Sequence, residues 1–180
     1  MEPFDELIAR CLRREPAAEK LLYNRLAPVL LGLCRRYFDR PEDAEDAMIQ
    51  SLLTVFEKLP QFRYEGSFEG WAKRIAVHTS LMALRQRKVD LSSAADVASS
   101  DLPADDSFDR AHRLDALVAC VQALPHGYRT VFNLYAVEGY SHAEIAQELG
   151  ISEATSKSQF SRARARLQVL VTAKGLNRAD

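Results

Sequence analysis

The amino-acid sequence predicts an all-α protein of two small helical domains joined by a flexible linker. Three observations lead there. Apolar residues recur at helical spacing through most of the 180 residues. Period-two alternation is scarce, and no Asn-Gly or Asp-Gly hairpin turn occurs. One stretch, Val89 to Phe108, is rich in Ser, Ala and Asp and holds no Lys or Arg, so it can bury little surface and reads as a linker.

The spacing places helices near 4–14, 17–37, 41–59, 68–88, 110–124, 127–137, 142–149 and 153–172. Domain boundaries follow: an N-terminal unit over 1–90, an acidic linker over 91–111, a C-terminal unit over 112–172 and a tail over 173–180. Hydrophobic residues at 47% and charged residues at 27% allow a packed core and argue against global disorder. No apolar run approaches the ~18 residues of a membrane span. The acidic start, Met1 to Glu6, does not suit a signal peptide, so the expected location is the cytoplasm. Cys11, Cys34 and Cys120 are far apart and read as small buried hydrophobes. With the four histidines also scattered, neither a metal site nor a cofactor is expected.

The helix at 41–59 opens on Asp39, a candidate cap, with Pro41 in the first turn. Glu42, Asp43, Glu45 and Asp46 complement its positive N-terminus. Ala44, Met48, Leu52, Val55 and Leu59 project within roughly 40° of one another as a core stripe. Ile49, Leu53 and Phe56 form a second strip, edged by acids and Gln50. That strip could pack on the helix at 17–37, or it could dock a partner helix with basic residues. The carboxylates could also recruit Mg²⁺, but no second helix offers converging acids, so catalysis is not expected.

The following segment brings Phe62, Arg63, Tyr64, Ser67, Phe68 and Trp71 into ten residues. Aromatics with a cation suit unpaired bases, which bind by stacking plus charge. Phe68 and Trp71, at spacing i, i+3, read as core. Lys73, Arg74, Arg85, Arg87 and Lys88 give the next helix a basic side for phosphates.

In the C-terminal unit, Ser141 and Glu144 form a capping box, Gly150 can end that helix in the left-handed conformation, and Ser152 caps the next. Helix, short Gly turn, helix is the helix-turn-helix layout. Phe160, Ala163, Leu167 and Leu170 project inward from the second helix. Thr155, Ser158, Gln159, Arg162 and Arg166 project to the opposite side, with Lys157 and Arg164 at the boundary. A net charge of −1 is no obstacle. Residues 128–180 hold 7 Lys+Arg against 5 Asp+Glu, while residues 91–127 hold 2 against 6, so the acidic excess lies in the linker region.

These residues resemble a known family. Leu124-Pro125, Glu138-Gly139, Ser141, Glu144-Ile145-Ala146, Leu149-Gly150-Ile151-Ser152, Thr155, Lys157-Ser158, Arg162-Ala163-Arg164 and Leu167 match region 4 of bacterial sigma factors of the extracytoplasmic-function (ECF) type. The Asp43–Asp46 DAED element, then Phe62, Glu65, Ser67, Phe68 and Trp71, then Arg74–Ala76, are similar to region 2 of the same family. The matches span about 12–90 and 112–170 in the family's order. Ser156 stands where Val is usual and weakens inward packing slightly; Gln159 replaces a common Arg; Val77, His78 and Met82 stand where many members have Arg, Asn and Asp.

The resemblance implies an alternative sigma factor, not an enzyme, whose partners are core RNA polymerase, promoter DNA and an anti-sigma factor. It implies polymerase docking by Asp43, Glu45, Asp46, Ile49, Gln50, Leu53 and Phe56. It implies −10 contacts by Phe62, Arg63, Tyr64, Ser67, Trp71, Lys73, Arg74 and His78. It implies −35 contacts by Ser152, Thr155, Lys157, Ser158, Gln159, Arg162, Arg164 and Arg166. The alternative is a helix-turn-helix regulator whose N-terminal helices dimerise or sense a signal.

Overall fold

The structure, a computed structural model, describes residues 2–90 and 110–176. Every regular element among them is helical, in the order the spacing predicts. The expected linker falls outside the described residues except at its end. The chain divides into two compact units, Met1–Ala95 and Asp96–Asp180.

Unit 1 holds α1 (Phe4–Leu12), α2 (Pro16–Cys34), α3 (Pro41–Lys58) and α4 (Phe68–Asp90). Arg10 and Arg13 both pair with Glu15 at the α1–α2 junction, at 2.8 and 2.9 Å. Leu7, Ile8 and Cys11 of α1 meet the row Ala18, Leu22, Leu26, Leu30 and Leu33 of α2, all buried at i, i+4 or i+3 steps. Each such Leu removed from water stabilises by about 1.5–3 kcal/mol. Pro28 lies inside α2 without ending it. It is exposed, so the backbone carbonyl it leaves without a helical donor lies on the solvent side.

α3 buries the expected stripe of Ala44, Met48, Leu52, Val55 and Leu59 against α2 and α4. Its N-cap is Arg40, without a side-chain cap bond, and not Asp39. Pro41 and the acids behind it suffice to start the helix. A short 3-10 turn, Leu59–Gln61, ends it. α4 faces inward with Phe68, Ala72, Ala76, Val77 and Leu81. Cys34 and Ser80 pack together inside, the Ser80 hydroxyl donating to Sγ at 3.7 Å.

Unit 2 holds α5 (Arg110–Gln122), α6 (His126–Phe132), α7 (His142–Leu149) and α8 (Glu153–Ala173). Cys120, Leu124, Ala163 and Leu167 form its buried centre, with Phe132 and Leu170 against them. The buried Arg129 donates through Nη2 to the carbonyls of Gln122 and, at 3.0 Å, of Leu124. A cation thus satisfies the carbonyl end of α5. After α6 the chain widens into a π-turn, Asn133–Val137, which the helical spacing does not announce. All three cysteines are free and buried. Among the described residues no helix is long and apolar enough to cross a membrane, and no cluster of His, Cys, Asp or Glu is placed to hold a metal.

Candidate nucleic-acid interface

In unit 1 the loop between α3 and α4 rests on an aromatic cluster. Phe62 sits at its centre, with ring centroids 4.9 Å from Tyr64, 5.1 Å from Phe68 and 5.3 Å from Trp71. Phe62 is only 9% exposed, so it supports the loop and does not face out, contrary to its place among the expected −10 contacts. Tyr64 does face out, at 50% exposure, on a left-handed backbone with φ of 59°. Arg63 is exposed beside it. Ser67 is exposed but also helps to build the fold, since its Oγ accepts the Gly70 N–H at 3.3 Å and so caps α4.

Along α4, Arg74 and His78 are exposed and Trp71 is half-buried. Lys73 is half-buried in an i, i+4 pair with Glu69 at 2.7 Å. An open groove of about 970 Å³ runs between α3 and α4. It brings Asp43, Asp46 and Gln50 of α3 opposite Trp71, Arg74 and His78 of α4, so residues read from sequence as two sets share one wall-to-wall surface.

The structure decides what covers the second strip of α3. Ile49 is 49% and Leu53 58% exposed, so α2 does not cover them; Phe56 is half-buried. Glu45, Asp46 and Gln50 are exposed around them. Asp43 is buried, which removes it from the outward face expected of it and makes it part of the α3 N-terminus.

Unit 2 carries the helix-turn-helix in the predicted register. Ser141 Oγ accepts the Glu144 N–H at 3.2 Å, and the Glu144 carboxylate accepts the Ser141 N–H at 2.8 Å. Gly150 ends α7 at φ 65°, and Ser152 accepts the Thr155 N–H at 3.0 Å to begin α8. Ser152, Lys157, Ser158, Arg162, Arg164 and Arg166 are exposed along α8. Thr155 is half-buried in the cap, and Lys157 pairs with Glu153 at 3.1 Å. Gln159 is half-buried and lies over Gly127, where an added Cβ would approach its Oε1 to 3.4 Å. It therefore packs partly inside the unit.

Ser156 takes the inward position expected of it, and polar partners hold it there. It is fully buried, and its hydroxyl meets Nδ1 of His142 at 2.9 Å. The imidazole stacks on Tyr135 at 4.3 Å and 13°, and Tyr135 packs on Phe160 at 4.5 Å. The π-turn places Tyr135 there. Packing that an apolar residue would supply is replaced by a hydrogen bond and an aromatic stack.

Two helical units, one with an aromatic loop beside a helix that exposes Arg74 and His78 and one with a helix-turn-helix whose second helix exposes Arg162, Arg164 and Arg166, define the class of a DNA-binding protein. Comparison with known proteins places it within that class. Residues 22–89 match the family "Sigma-70 region 2", and residues 114–167 match "Sigma-70, region 4". The chain is 31% identical over 172 residues to the ECF RNA polymerase sigma factor SigM of Mycobacterium tuberculosis, covering 92% of this chain and 83% of that one. It is 32% identical to the RNA polymerase sigma factor CarQ of Myxococcus xanthus, covering 83% and 87%. Among solved structures, the fold is shared with the sigma factor RpoE bound to the anti-sigma factor NepR from Bartonella quintana. There the TM-score is 0.57 and identity 22%, over 85% of this chain and 96% of that one. CnrH in complex with the cytosolic domain of CnrY gives a TM-score of 0.51 at 26% identity, over 93% and 96%. The chain belongs to the sigma-70 family and, within it, to the ECF sigma factors: it is an alternative sigma factor that directs transcription initiation by RNA polymerase.

Proposed function

We propose that this sigma factor divides its work among three surfaces. The exposed strip of α3, centred on Ile49 and Leu53 with Glu45, Asp46 and Gln50 at its edge, docks core RNA polymerase. The loop at Arg63–Ser67, with Trp71, Arg74 and His78, holds the −10 element after melting. α8 reads the −35 element, with Arg162 and Ser158 toward bases and Lys157, Arg164 and Arg166 toward phosphates. Phe62 and Gln159 act from beneath these surfaces, and the largely buried Asp43 from the wall of the α3–α4 groove.

The observation that carries the reading is the exposure of Ile49 and Leu53 on a helix that buries all its other large aliphatic side chains. Two adjacent uncovered aliphatics rimmed by carboxylates suit a protein partner of opposite charge. The protein works in the cytoplasm as a binding subunit and not as an enzyme. An anti-sigma partner fits the same reading, since the sigma factor RpoE, which shares this fold, was solved in complex with the anti-sigma factor NepR. Run-off transcription with purified core enzyme tests the whole. A holoenzyme that initiates at selected promoters is expected. A chain that binds palindromic duplex DNA alone and never joins the core would instead be a free-standing regulator.

A further inference from the structure

The N-terminal helix lies outside the part of the chain that matches region 2, which begins at residue 22. It nevertheless reaches the −10 loop. The Phe4 ring is 5.2 Å from Phe68. Phe68 is buried and meets Phe62 edge-on at 5.1 Å, and Phe62 meets Tyr64 at 4.9 Å. Four rings therefore form an unbroken chain from α1 to the exposed Tyr64. The far end is clamped. The Arg25 guanidinium lies 3.8 Å over the Phe4 ring and donates through Nη1 to the Glu2 carbonyl at 2.7 Å. The Glu2 carboxylate pairs with Arg10 at 3.0 Å.

Tyr64 needs such support. A tyrosine at φ 59° holds a backbone conformation that side chains disfavour, and such residues persist where their surroundings fix them. The ring of Tyr64 packs on Phe62, with centroids 4.9 Å apart. With half its surface in contact and half open, Tyr64 offers a stacking platform to an unpaired base.

We infer that Phe4 is a positioning residue for the melted −10 strand, setting the pose of Tyr64 through Phe68 and Phe62. The inference rests on the −10 role proposed for the loop. Loss of the Phe4 ring leaves Phe68 without its α1-side neighbour, slackens the Phe62 contact and frees Tyr64 to leave the left-handed conformation.

The test uses holoenzyme assembled from core enzyme and the full chain. The probe is a promoter selected from random DNA by the wild-type holoenzyme, prepared with its −10 segment already unpaired. Phe4→Leu is expected to weaken binding of this probe by about five-fold or more, the low end for one lost stacked base. Core affinity should stay unchanged. Tyr64→Ala should produce a comparable loss, and the double variant no further loss. Phe4→Tyr, which keeps the ring, should restore binding. Trp71 is the single tryptophan of the chain and lies in the cluster, so its emission should shift with Phe4→Leu and return with Phe4→Tyr. Unchanged binding by Phe4→Leu, when Tyr64→Ala binds weakly, would overturn the relay. So would losses that multiply in the double variant, or an equal fall in core affinity. If Phe4→Leu and Tyr64→Ala are both silent in a holoenzyme that still binds the probe, the −10 role of the loop fails as well.

Discussion

His142, in the first turn of α7, and Ser156, in the first turn of α8, lock the two helices of the DNA-reading motif together through a 2.9 Å contact between Nδ1 and Oγ. Ser156 is wholly buried, so no water replaces a lost partner from its side. His142 is half-buried, so the contact is closed to water on the Ser156 side only. Removing one member of a fully buried hydrogen bond costs about 1–3 kcal/mol, and this one belongs toward the lower end, whereas replacing both members by apolar groups of similar shape is close to neutral. Ser156→Ala is expected to destabilise unit 2 by about 1–2 kcal/mol. Ser156→Val combined with His142→Leu should recover most of that loss. Native-state hydrogen exchange of the α8 amides, measured across the full cycle, reads the coupling directly. Additive effects would show that the contact contributes no coupling.

Arg162 is exposed on the solvent side of α8, opposite the buried Ala163 and Leu167, so its guanidinium is open to a ligand. Arg162→Ala should weaken binding to the −35 element by about 1–3 kcal/mol if the guanidinium meets a base edge, with relaxed preference at that position. Contact with phosphate alone predicts a similar loss on every sequence and a shallower salt dependence. Titrations of holoenzyme on matched and single-mismatch −35 duplexes at two salt concentrations separate the two.

The helix-turn-helix was legible because its signals are local. A capping box spans four residues, and Gly150 and Ser152 act within one turn of where they stand. The stripe of α3 was legible for the same reason: it needs only the helical period. What escaped was set by contacts distant in sequence. Phe62 is buried by Phe68 and Trp71 on the far side of the loop. Ser156 owes its place to a histidine fourteen residues earlier. Arg129 satisfies carbonyls of the preceding helix. Helical projection assigns each residue a side but not a neighbour, and the resemblance to region 2, which set Asp43 among the docking acids, carries no burial: the fold buries that carboxylate.

Cys34 gives a pH signature of the unit 1 core. Burial pushes its thiol up to about 11, opposed by the hydrogen bond from the Ser80 hydroxyl and by the charge of Arg36. In the unfolded chain a thiol ionises near ~8.5. The buried neutral form therefore contributes stability that is fully present below about pH 8.5 and drains away as pH rises toward 11. The loss should reach roughly 2–3 kcal/mol by the upper end of that window. Urea unfolding of the wild type and of Cys34→Ala, followed by Trp71 emission across the window, isolates it from the other alkaline groups. The variant is less stable at neutral pH but should fall less steeply with pH. In the native wild type Cys34 should also resist iodoacetamide at about pH 8, since its thiolate is scarce and its sulfur inaccessible.

Ile49 and Leu53 decide whether α3 is a docking face or a stretch of ordinary surface. They are one helical turn apart, so their side chains form a single patch, and their exposure means that a polar substitute creates no cavity and buries no charge. Leu53→Arg should change the stability of the free chain by less than about 0.5 kcal/mol, the range for surface sites. In a docked complex the same arginine would sit at the centre of an apolar contact, where loss of one anchor costs about 2 kcal/mol or more and thus at least ten-fold in core affinity. Asp46→Arg tests the rim: it should slow association and reduce its salt dependence, with a smaller effect on dissociation. Gel filtration with core enzyme, together with surface-immobilised kinetics, gives both readings. A Leu53→Arg chain that folds and still joins the core at wild-type affinity would remove α3 from the interface. The uncovered aliphatics would then have to belong to a different contact of the same unit.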